Sequence, residues 1–290
     1  MRGRGKGLIA AGLVVAACAA LAGSAQGAVT IGSSLANPAN ESGPCGLLPC
    51  TVTGFSLVAS AQAPGGLASP VNGTVTSWSF RAGSPAGQNV ALRVLRPAGG
   101  MTYTGAGTSQ PMTAAVGVNG PFATSLPIRS GDQAGLNAAP GAIIMNDIGA
   151  PSTALSWTIP MPLADGETRE GAIVFNREVL VQATIEPTNT VAVGALTRNK
   201  KKGTAAVTVT VPNPGQLSYA GSGVSVTGPA SVAAPGDVQL TVRATGKKAK
   251  KLKKKGKAGV SFGVTFTPDL GTAGITPETL TLRKKPKKKK

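Results

Sequence analysis

Between Gly246 and Pro268 the sequence reads GKKAKKLKKKGKAGVSFGVTFTP, with eight lysines in the eleven residues from Lys247 to Lys257. Lys247, Lys248, Lys250, Lys251, Lys253, Lys254, Lys255 and Lys257 are candidates for one kind of chemistry, contact with a polyanion by charge, unselective and weakened by salt. The same run also suits a solubilising surface, since lysine on a sheet edge blocks strand addition. Both readings stand at the level of sequence. The other reactive pair is Cys45 and Cys50 in PCGLLPC. Four residues separate them, rather than the two of a redox C-x-x-C motif, and the chain has no histidine to complete a tetrahedral metal site. In an oxidising compartment this pair is expected to close a small loop as a disulfide.

Other chemistry finds few parts. Without histidine there is no Ser-His-Asp or Cys-His arrangement, and no glycine-rich phosphate cradle ending in Lys-Ser/Thr occurs. A glycosidase needs two carboxylates facing one cleft. Asp147, Asp165, Glu167 and Glu170 form the only local acid cluster, and Asp165 and Glu167 bracket Gly166 as turn residues, or at most as a weak calcium site. Trp78 and Trp157 are read as core fillers, with a sugar-stacking platform as the alternative. The expectation is a protein that is not an enzyme and needs no cofactor or metal.

The elements that position these residues begin after an export signal. Arg2, Arg4 and Lys6 precede an apolar run from Leu8 to Leu21 and then small residues, the layout of a secretory signal peptide cleaved after Gly27. The run is short of the ~20 apolar residues of a bilayer span, and no later segment could cross a membrane. The competing reading takes VAAC at Val15–Cys18 as a lipobox, which would make Cys18 a lipid anchor. The expected location is outside the cell, with attachment to the cell surface as a further possibility.

Glycine and proline number 40 and 22 of 290 residues, and aromatics are only 3%. With apolar residues still at 41%, the chain remains above the composition of low-complexity sequence. Short alternating runs with turn residues every ten or so positions predict antiparallel sandwiches, and no helical periodicity longer than two turns follows the signal. The predicted fold class is all-β, with two antiparallel β-sandwich modules, the N-terminal one jelly-roll or Ig-like and the C-terminal one Ig-like.

Charge locates the boundary. Residues 28–187 carry six arginines, no lysine and eight carboxylates, a net of −2, whereas residues 198–290 carry twenty cations and three acids, a net of +17. The predicted layout is a signal peptide over 1–27, a sandwich over 28–190, a linker over 191–203, a lysine-rich sandwich over 204–284 and a disordered basic tail over 285–290. In the first module Thr76, Trp78 and Phe80 alternate onto one face, and Val90, Leu92 and Val94 oppose Arg93 and Leu95. In the second, Val207, Val209 and Val211, then Val238, Leu240, Val242 and Ala244, then Val260, Phe262, Val264 and Phe266 do the same. The lysine run joins two such strands as a loop, and Leu252 is its single large apolar residue, the expected plug of a sandwich corner.

The pattern Leu252-x-x-x-Gly256 ahead of an alternating strand resembles the corner before the penultimate strand of bacterial Ig-like and fibronectin-type modules. Residues 197–285 are similar to modules on secreted proteins of high-GC actinobacteria. The resemblance implies a fold and no activity. Outside a cell the plentiful polyanions are wall polymers, anionic headgroups and acidic polysaccharides. The predicted partners are therefore anionic cell-surface polymers or acidic polysaccharide bound by charge. Nucleic acid comes second, because no exposed aromatics interleave with the lysines. The predicted function is a secreted, non-enzymatic, envelope-associated binding or adhesive protein. The alternatives are a structural spacer that displays the first module and, less favoured, an accessory module of a carbohydrate-active enzyme.

Overall fold

The computed structural model describes residues 27–159 and 162–285. The signal peptide, the Cys18 anchor and the tail beyond Lys285 lie outside them. The chain is all-β, built from several antiparallel sheets. Among the described residues no helix is long and apolar enough to cross a membrane.

The first sandwich packs a four-stranded sheet, in the order Val29–Gly32, Val181–Pro187, Gly73–Ala82 and Gly117–Ile128, onto a sheet of eight strands. The core lies between them. Trp78 and Phe80, both almost fully buried, stack with ring centroids 5.4 Å apart, and Phe122 tilts against Trp78 at 5.2 Å. Val90, Leu92 and Val94 face them from the second sheet, as their alternation requires. The far side of that strand is covered as well. Leu95, Tyr103, Leu155, Trp157 and Leu163 form a second apolar cluster there, with Tyr103 edge-on to Trp157 at 5.8 Å. Both tryptophans are therefore core residues, each 2% exposed.

The same cover buries Arg93, which pairs with Asp165 at 2.7 Å, and burial lowers the pKa of its guanidinium. Cys45 and Cys50 are joined as a disulfide and fully buried, with Cα atoms 5.2 Å apart. The loop they close pushes Leu47 outward, 92% exposed.

The second sandwich has two sheets of four. One runs Ala192–Asn199, Thr204–Val211, Gly236–Ala244, Val224–Thr227; the other runs Ser231–Val232, Gly215–Ala220, Lys257–Pro268, Gly274–Arg283. The long strands have the neighbour relations of an immunoglobulin-type sandwich. Their alternating valines, leucines and phenylalanines fill one core.

Two expectations are corrected here. Residues 191–203 are not a linker: Ala192–Asn199 is a strand hydrogen-bonded to Thr204–Val211, and Val193 and Leu196 pack on the core. A register shift between those two residues, around Gly194, breaks the alternation that would mark a strand. Nor is the lysine run a loop. Gly246–Lys255 is an α-helix, α1. Its apolar face is only Ala249 and Leu252, one turn apart, too little to register as helical periodicity. Leu252 does plug the end of the core, 5% exposed.

The two sandwiches meet through Asn213, which is buried in the turn after the Thr204–Val211 strand. Its Oδ1 accepts from the Asn72 backbone N–H at 2.8 Å, and its Nδ2 donates to the carbonyls of Asn72 and Thr188, both at 3.0 Å. Asn72 Nδ2 returns a bond to the Pro212 carbonyl at 2.6 Å. Leu270, from the neighbouring turn, packs on the core of the first sandwich.

Candidate polyanion-binding pole

Strand polarity decides where the lysines go. Register pairs Thr204 with Asn199 and Arg243, and Lys257 with Arg283, so all five positions sit at one end of the second sandwich. The opposite end holds Val211, Gly236 and Pro268 and joins the first sandwich. At ~3.3 Å per residue, strands of eight to twelve residues separate the two ends by about 30 Å. Every cation of residues 198–285 lies at the far end. The three acids do not: Asp237 and Asp269 are near the junction and Glu278 is halfway along its strand.

Three lysine-rich segments distant in sequence are brought together at this pole. The Asn199–Lys202 turn is tied by Lys202 N–H to Asn199 Oδ1 at 3.0 Å and Gly203 N–H to Asn199 O at 2.7 Å. Gly203 has φ +75°, and a Cβ there would press on Leu252 and Lys284, so glycine permits the turn to touch α1. Gly256, φ 69°, ends α1 in the left-handed conformation. The Lys284 N–H then donates to Gly256 O at 2.8 Å, and the Lys285 N–H to Lys200 O at 2.9 Å. One backbone network joins turn, helix and final strand.

All eight lysines predicted to bind polyanion, Lys247, Lys248, Lys250, Lys251, Lys253, Lys254, Lys255 and Lys257, are exposed on α1 and the strand that follows it. The five ion pairs among the described residues all lie in the first sandwich, so none neutralises this pole. Lys253, Lys254 and Lys255 complement the macrodipole in the last turn of the helix, but other charges on it are adverse. Its Lys247–Lys251, Lys250–Lys254 and Lys251–Lys255 pairs repel, each by ~0.2–0.5 kcal/mol. Lys247 and Lys248 oppose the macrodipole in the first turn, and Thr245 makes no side-chain cap.

Two grooves cut into the pole. One of about 660 Å³ lies over the outer face of the sheet, where Thr197, Thr204 and Thr241 sit beneath Arg243 and the Lys200–Lys202 turn. The other, about 390 Å³, passes beside Leu252 between Arg243, Lys253 and Lys284. Lys202, Thr204 and Arg243 line both, and no carboxylate lines either. Arg243 lies outside the charge runs, isolated in sequence. The signal for it was alternation in GDVQLTVRATG, which places Gln239, Thr241 and Arg243 on the outer face.

Three of the four carboxylates in the local acid cluster of the first sandwich have partners of their own. Asp165 holds Arg93, Glu167 holds the Ala164 N–H and pairs with Arg169 at 3.4 Å, and Asp147 pairs with Arg177 at 3.1 Å. No group of three or more potential metal ligands occurs among the described residues. No known family model, curated protein or solved structure matches the chain.

Proposed function

We propose that the protein is a secreted, non-enzymatic envelope-associated binding protein, held to anionic surface polymers by the basic pole of its second sandwich. The observation that carries this reading is the convergence of three lysine-rich segments on one end with no ion pair among them. A surface that only solubilises has no need to concentrate its cations at one end, and concentrating them costs repulsion. The opposite end is clasped to the first sandwich, so attachment through the pole would present that sandwich outward.

The test is fractionation of cells expressing the full chain. Protein held by charge stays with the envelope at low ionic strength and is released by a high-salt wash, because exposed contacts are screened within about 3 Å at 1 M salt. Replacing the eight lysines by glutamine should move it into the medium without a wash. Protein that is found in the medium at every ionic strength would leave the display reading in its place.

A further inference from the structure

We infer that the two grooves form one continuous site for a flexible polyol-phosphate chain, with Lys202, Thr204 and Arg243 at its centre. The inference rests on the polyanion reading above and gives it a ligand class.

The grooves share those three residues, so a chain lying in one continues into the other without leaving the surface. Cations border the whole course: the Lys200–Lys202 turn on the sheet side, Arg243 in the middle, Lys253 and Lys284 beside α1. A single small anion would occupy a fraction of that length; a chain of regularly spaced charges occupies all of it. Arg243 offers the planar donor fork that matches two oxygens of a phosphate, while the lysines act as point charges.

The floor adds a second chemistry. Thr197, Thr204 and Thr241 present hydroxyls that make no side-chain hydrogen bond among the described residues. Farther along the same face Thr208 and Thr210 are bonded to Gln239 and Asp237. Hydroxyls both donate and accept, which suits the alternating hydroxyl groups of a polyol. Aromatic side chains are absent from both linings, so a nucleobase would find no stacking surface there. The site thus favours hydroxyl-bearing phosphodiester chains over single-stranded nucleic acid of equal charge.

The experiment titrates the full chain with a glycerol-phosphate oligomer, with single-stranded DNA of matched charge and with polyglutamate, at fixed salt. Wild type should bind the glycerol-phosphate oligomer at least threefold more tightly than either competitor. Lys202→Gln with Arg243→Gln should weaken it about tenfold. Lys250→Gln with Lys251→Gln removes the same charge from the exposed helix face and should weaken it less than threefold. Thr204→Val with Thr241→Val should erase the preference over DNA while leaving affinity for polyglutamate unchanged. Equal losses in the two lysine and arginine double variants, or a valine variant that keeps the preference, would overturn the groove while leaving the charged pole intact. Failure of every polymer to bind wild type would overturn the polyanion reading and the groove together.

Discussion

Leu252 and the lysines around it divide the labour of α1 between packing and charge. Leu252 closes the core beneath Gly203 and Lys284, whereas its charged neighbours reach into water. Leu252→Asp places an unpaired charge at that contact, which costs several kcal/mol against a domain stability of ~5–15 kcal/mol. The second sandwich should then unfold, read as loss of its β signal in circular dichroism. Replacing the eight lysines by glutamine removes three i,i+4 repulsions and two adverse first-turn charges at little change in helix propensity. It also removes the favourable last-turn cations Lys253, Lys254 and Lys255, so the effects offset and that variant should stay within about 1 kcal/mol of wild type, seen as a folded domain with a similar melting temperature. A glutamine variant that unfolds beside a native Leu252→Asp variant would show that the roles of the two residue types have been exchanged.

At the scale of elements, the strands were legible and their surroundings less so. Period-2 alternation named the buried valines and phenylalanines of the second sandwich because one face of each sheet meets a single core. It placed Arg93 and Leu95 on the opposite face without showing what lies there, which is the cover formed by the chain around Leu163. It missed α1, whose two apolar residues leave no stripe, and the Ala192–Asn199 strand, whose bulge interrupts the pattern. The junction was invisible because Asn72 and Asn213 lie 141 residues apart and asparagine is a common turn residue. There, Asn213→Ala leaves the partly buried Asn72 N–H and Thr188 carbonyl without this partner, at about 1 kcal/mol. Small-angle scattering should show a larger maximum dimension for this variant with secondary structure unchanged. An identical scattering profile would mean that Leu270 and its neighbours hold the sandwiches together without the asparagine clasp.

For the whole molecule, the charge asymmetry read from sequence becomes a spatial one. The lysine runs around 200, 250 and 285 share a location only because each falls at a strand end with the same polarity, a fact that register supplies and charge counting does not. With a screening length of ~8 Å at physiological salt and about 30 Å between the two ends, the pole's field decays before it reaches the first sandwich. The acidic-neutral module is thereby left free for contacts of its own. Hydrogen exchange of the full chain, with and without an anionic polymer at low salt, tests this arrangement most directly. Protection should rise together in the segments 199–203, 246–257 and 283–285, and the first sandwich should exchange as before. Protection confined to one of the three segments, or spread over the first sandwich, would contradict a single binding pole.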